Sequence, residues 1–241
     1  MQYYLRHYFN PDFDYLRPKP GIGEDGESSD LYSLGYVQNV IAGQLLAEVI
    51  PLEQAGAEPD PRFVLSRPVL PGGANTRVDP AYPNYLLSTS NGYVFYNNGK
   101  ITVKRLLNVR QDVSFRTGNI FFVGDMAVHG SVRSGFSVQA NNLRIMGMVE
   151  GGVAPALLAA SIDRELLQAL YGGARGGAGQ HCLLDAGDKL LTPFLEKIEA
   201  RARGNMVVEK YCLYSTVYAG ANMVVREQVY GSTINAYGSV Y

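Results

Sequence analysis

Few side chains in this sequence can do chemistry. It has three histidines, His7, His129 and His181, two cysteines, Cys182 and Cys212, and no tryptophan. A thiol nucleophile needs a base within hydrogen-bond reach. His181 and Cys182 are neighbours, but adjacent residues of a strand point to opposite faces. Adjacency alone therefore does not pair them, and Cys182 reads as a buried structural thiol. No Cys or His pair has the spacing of a zinc finger. The run Gly172-Gly173-Ala174-Arg175-Gly176-Gly177-Ala178-Gly179 lacks the Gly-Lys-Ser/Thr ending of a phosphate loop and reads as a connection. Arg201, Arg203 and Lys210 alternate with Glu196, Glu199 and Glu209, the pattern of a solvated face. No acidic cluster recurs on one face, as hydrolysis of a glycoside would require. No catalytic, cofactor-binding or metal-binding residue is expected.

Tyrosines are the more informative polar residues. Of the 17 in the chain, Tyr211, Tyr214, Tyr218, Tyr230, Tyr237 and Tyr241 crowd its last stretch. Tyrosine offers a large apolar body with one polar tip and is enriched at interfaces. These six are the candidate interface residues.

Composition agrees with a binding protein. The chain has 241 residues, 21 basic against 22 acidic side chains, and 27 glycines. Near-neutral charge removes the electrostatic footprint of a nucleic-acid binder. The longest apolar run, Ala156 to Ala160, is far short of a membrane span, so no membrane insertion is expected. The N-terminus has no apolar signal-peptide core. Two cysteines suit a reducing compartment, so a cytoplasmic location is expected.

Two regions must position these residues. Residues 1–107 form an irregular, β-rich N-terminal domain, with eight of the 12 prolines between Pro11 and Pro71. Gln44 to Ile50, closed by Pro51, is a predicted strand. Asn91 to Val103 is a predicted hairpin, with Asn98-Gly99 supplying a tight primed turn.

Residues 108–241 repeat. Met126 and Leu143 are 17 apart, as are Met206, Met223 and Val240, and each follows a turn pair. Ser215-Thr216-Val217-Tyr218-Ala219 is echoed 17 residues later by Ser232-Thr233-Ile234-Asn235-Ala236. Val128-His129-Gly130-Ser131-Val132 matches Ile145-Met146-Gly147-Met148-Val149 in the same way. Units this short cannot hold two helices. At ~3.3 Å per residue they fit one turn of a narrow tube with three short faces. Stacked turns pair in parallel, and equivalent side chains stack in ladders. Ala202, Ala219 and Ala236 are expected at tight corners, and Gly and Asn at corners with left-handed backbone. Calcium is not expected, because the paired acids of calcium-binding β-rolls are absent.

The register breaks after Leu143, where Ile162 and then Leu190 are the next expected rungs. Ser161 to Gly173 fits either a short helix or an enlarged coil. Phe194 to Ala202 has helical propensity, but the repeat assigns it to strand. Asp185-Ala186-Gly187-Asp188-Lys189 resembles a lipoylated-lysine motif but lies in the wrong domain for it. His129 could be compared with the histidine base of acyltransferases built on left-handed β-helices. Their coils follow a six-residue rhythm that a period of 17 does not reproduce, so His129 is expected at the surface.

The run Thr117 to Val132, continued by Ser134-Gly135-Phe136-Ser137-Val138-Gln139-Ala140, resembles the signature segment of the flagellar assembly protein A family. Ile41 to Ala47 and Asn91 to Phe95 are similar to that family as well, and the resemblance covers roughly residues 37–241. It implies an all-β chain, a right-handed parallel β-helix preceded by a small β-rich N-terminal domain. It implies a non-enzymatic bacterial scaffold linked to flagellar assembly or polar organisation, without catalytic residues. The family commonly continues beyond the solenoid, whereas this sequence stops at Tyr241. Unpaired coil edges invite partners, so the expected partners are proteins, including further copies of the chain through its C-terminal coil. Triangular β-helices also occur in septum-placement inhibitors and bactofilins, and an enzyme acting on carbohydrate or acyl groups is a further alternative.

Overall fold

The computed structural model describes residues 2–14, 34–151 and 183–241. They fall into two compact units, one of Met1–Asp14 with Val37–Arg105 and one containing Leu106–Tyr241. The stretches around the glycine-rich run, the Ser161–Gly173 segment, His181 and Cys182 lie outside the described residues.

In the first unit, Val64–Leu65, Tyr3–His7, Leu45–Pro51, Tyr85–Ser88 and Thr76–Val78 form an antiparallel five-stranded sheet in that spatial order. Asn39–Val40, Gly92–Asn97 and Lys100–Lys104 form a three-stranded sheet. The predicted strand closes at Pro51 as expected. The predicted hairpin is present, with Asn98 and Gly99 at φ 49° and 71°. Leu5, Leu46, Val49, Phe63, Leu86, Val94, Ile101 and Val103 join the sheets through one apolar core. His7 leaves that core into a ring cage, with centroids 5.3 Å from Phe9, 4.4 Å from Phe63 and 5.5 Å from Tyr96. Burial there pushes its pKa down to about 4. At the cage rim the Arg62 side chain makes two bonds to Asp12 and three to Asp60. Those bonds hold both carboxyls below the usual range.

The second unit is a parallel β-solenoid of about six coils. Each coil contributes to three faces. The first face starts with Leu106–Val109, Asp125–Val128 and Leu143–Ile145 and continues through the N-terminal parts of Leu190–Glu196 and Met206–Leu213 to Met223–Val225. The second comprises the bridges Val113–Val132–Val149, then the C-terminal parts of Leu190–Glu196 and Met206–Leu213, then Gln228–Tyr230. The third stacks Ile120–Phe121, Val138–Ala140, Leu183–Ala186, Glu199–Ala202, Thr216–Ala219 and Thr233–Ala236.

Alternating residues point inward, and the inward positions form columns. Leu107, Met126, Leu143, Leu190, Met206, Met223 and Val240 make one column along the first face. Val138, Leu184, Ala200, Val217 and Ile234 make another along the third. Met126, Leu143, Leu190, Met206 and Met223 are each at most 2% exposed, so the tube is filled by its own ladders.

Three expectations need correction. Leu143 pairs directly with Leu190, so Ile162 is not the next rung of that column. The intervening residues leave the register of both flanking faces unbroken. Ala202, Ala219 and Ala236 are not corner residues. They close the strands of the third face, in register with Ala140 and Ala186, and a methyl is what the narrow interior accepts there.

The corner asparagines are not left-handed either. Their side chains form a ladder from coil to coil. The Asn222 backbone N–H donates to Asn205 Oδ1 at 3.1 Å, and the Ser239 N–H donates to Asn222 Oδ1 at 2.9 Å. An amide side chain gives the orphaned corner N–H of the next coil an acceptor. Glycine joins them for closeness: a Cβ at Gly220 would lie 2.0 Å from the Arg203 carbonyl oxygen of the preceding coil. The left-handed positions sit instead at the corner between second and third faces, at Gly118, Gly135, Lys197, Tyr214 and Gly231.

Candidate interaction face

The solenoid disperses the side chains that chemistry would need. His129 is exposed just after a first-face strand, its Nε2 3.4 Å from Asn108 Oδ1. Asp125 Oδ1 accepts from Asn141 Nδ2, Asn142 N and Asn142 Nδ2 at 3.0, 3.2 and 2.7 Å, so it caps a corner. Asp188 stands at the equivalent corner two coils on, its carbonyl accepting from Gly204 N at 2.7 Å. Asp185 lies on the outer side of the third face, where Gln139 Nε2 reaches its Oδ2 at 3.3 Å. Burial raises its pKa, against the opposing pull of Arg203 and Arg201. Cys212 is an interior rung between Leu195 and Val229, and burial pushes its thiol pKa up, the opposite of an activated nucleophile. Among the described residues no three His, Cys, Asp or Glu side chains could share a metal ion.

The candidate tyrosines do not share one surface. Tyr218 is on the outer side of the third face, with the Arg201 guanidinium 5.7 Å from its ring centroid. Tyr237 follows the last third-face strand, and Tyr241 pairs alongside Met223–Val225 on the first face. Tyr211, Tyr214 and Tyr230 do come together, at the second face.

That face is built from the repeat. Phe194 and Tyr211 are register partners on successive coils, and their rings stack at 5.7 Å and 29°. Glu196, Leu213 and Tyr230 form the adjoining outward column. The Lys210 ammonium lies 5.2 Å from the Phe194 centroid, and the Glu227 carboxylate bonds the Tyr211 hydroxyl, which raises the phenol pKa. Tyr214 meets Tyr230 edge to face at 5.4 Å and 87°. Both remain open to solvent, 55% and 57% exposed.

Tyr214 occupies a costly position. Its φ is 49°, in the corner column where residues 118, 135 and 231 are glycine. A non-glycine residue there costs about 1–2 kcal/mol. Lys197, 17 residues earlier, is held in the same way at φ 53°. The roles of Phe194, Leu213 and Lys197 escaped the sequence reading. Their signal was present, since Phe194 to Tyr211 and Lys197 to Tyr214 repeat the spacing of 17.

A family model described as the Flagellar Assembly Protein A beta solenoid domain matches residues 105–241. The match spans more than half of the chain and begins one residue before the first solenoid strand. The chain belongs to this family. No curated protein and no solved structure matches it. Flagellar assembly protein A is not known as an enzyme family. The segment that carried the resemblance, Thr117 to Ala140, holds the third-face strands of the first two coils, with the first-face strand Asp125–Val128 and the second-face bridge residue Val132 between them. Among the described residues no helix is long and apolar enough to cross a membrane.

Proposed function

We propose that this protein is a non-enzymatic scaffold that acts in flagellar assembly or polar organisation through protein contacts on its solenoid. The observation that carries the reading is the family's β-solenoid domain bearing an outward aromatic face. Dispersal of His129, Asp125 and Asp188 into separate surface and corner roles supports the same reading. A scaffold uses shape and surface, and this solenoid supplies a rigid tube whose outer residues can vary while the inner columns hold. The cytoplasm is the proposed location, and flagellar or polar proteins are the proposed partners. Tyr211, Tyr214 and Tyr230, with Tyr218, Tyr237 and Tyr241 on neighbouring sides, are the proposed contact residues.

Capture from the native host with a tagged chain tests this. Enrichment of flagellar or polar proteins is the expected result, and enrichment of division proteins instead would overturn it. Alanine at His129, Asp125 and Asp188 should leave host motility intact. Loss of motility with the fold preserved would point to catalysis.

A further inference from the structure

We infer that the second face of the solenoid, centred on Tyr214 and Tyr230, is the contact through which two copies of this chain pair. This rests on the scaffold reading and specifies one of its surfaces and one of its partners. Tyr214 supplies the first argument. Glycine takes the left-handed corner freely, and the corner is glycine at residues 118, 135 and 231 but Lys197 and Tyr214 on the two successive coils that carry the Phe194–Tyr211 stack. Tyrosine at 214 gives the solenoid a strained corner, yet leaves its ring more than half exposed. Strain that the fold does not need, kept at an exposed site, points outward to function.

The neighbours supply the second argument. Tyr230 meets that ring edge to face, and Phe194, Tyr211 and Leu213 lie on the same face and extend it into an apolar centre. Its borders carry Glu196 and Lys197, Glu209 and Lys210, and Arg226 and Glu227, one acid and one base on each of three successive coils. A symmetric pair brings a patch against an identical patch. Any net charge would then repel itself, and here three acids balance three bases. A neutral border around an aromatic centre suits a second copy, and gives a basic or acidic partner no net attraction.

The test measures association and stability on the same variants of the full chain. Light scattering over a concentration series should show a monomer–dimer equilibrium for the parent. Tyr214→Gly and Tyr230→Lys should each weaken it at least tenfold, as loss of an interface hot spot does. At concentrations low enough that parent and variant are both monomeric, Tyr214→Gly should leave the thermal midpoint unchanged or higher, because glycine relieves the corner. A merely structural Tyr214 would lower it instead. A parent that stays monomeric throughout, or a dimer indifferent to both variants, overturns the inference. Host proteins still captured by a strictly monomeric chain would leave the scaffold reading standing while the pairing fails.

Discussion

Replacing Gly220 by alanine should weaken the solenoid through one hard contact. A Cβ there would lie 2.0 Å from the Arg203 oxygen and 2.7 Å from its carbonyl carbon. Both atoms are backbone, so no rotamer change relieves the overlap. Restoring ordinary contact requires the two coils to part by roughly 1 Å or more at this corner. Three bonds span that gap: Gly220 N–H to Ala202 O at 2.8 Å, Ala221 N–H to Gly204 O at 3.0 Å and Asn222 N–H to Asn205 Oδ1 at 3.1 Å. At about 1 kcal/mol each, losing two or three costs about 2–3 kcal/mol. Alanine returns about 0.4–1 kcal/mol by stiffening the unfolded chain. The net loss is therefore about 1–3 kcal/mol, a fall of several degrees in thermal midpoint. Urea unfolding followed by far-ultraviolet circular dichroism measures it. Gly135→Asn is the comparison without a clash, because nothing lies within 4 Å of its Cβ position and only the backbone cost of its φ of 87° remains, which asparagine lessens. A Gly220→Ala protein within about 0.5 kcal/mol of the parent, the ordinary range for a surface change, would refute the close approach of the coils.

Acid should loosen the first unit through His7. Its folded pKa of about 4 lies below the unfolded 6.5, so the neutral ring's contribution is complete above pH 6.5 and is lost as pH falls toward 4. The full shift, discounted for a ring still partly open to solvent, leaves about 1–2 kcal/mol. His7→Phe should remove that slope from the pH dependence of urea unfolding. Met206→Ala should cost about 2–5 kcal/mol in the same unfolding assay, because it empties a fully buried rung between Leu190 and Met223. Arg133→Ala should cost little, and less in high salt, although Arg133 bonds both Asp112 and Glu150 at 2.7 Å. Those partners are half-buried surface charges still reached by solvent and screening ions. A salt-independent loss would show that the ladder is more than that.

The solenoid was legible because one physical constraint acts on every coil at the same place. An interior rung must be apolar and of similar volume, so Met206, Met223 and Val240 announce themselves by spacing alone. The first-unit sheet was much less legible. Tyr3–His7 is too short for periodicity to speak, and Tyr4 pairs with Ile50 and Val64, far along the chain. The left-handed corner was hidden for another reason. Backbone conformation defines that column, and its members Gly118, Lys197 and Tyr214 have no side-chain chemistry in common. The asparagine corners were seen but misassigned, since asparagine serves both left-handed turns and amide ladders. The tyrosines were seen as a group, but their sides could not be separated until each was placed in a strand.

The unbroken pairing of Leu143 with Leu190, and of Val138 with Leu184, shows how such a chain can change in evolution. An interruption is tolerated when it leaves from one corner and returns in phase. By the same logic, excising residues 206–222 would join Asn205 to Met223, which already follows an asparagine in its own coil. The interior columns would close up with apolar against apolar, Leu190 on Met223, Leu195 on Val229 and Ala200 on Ile234. What this molecule holds fixed is therefore phase and not length: successive rungs already stand 19, 17, 47 and 16 residues apart, and each re-enters the same column.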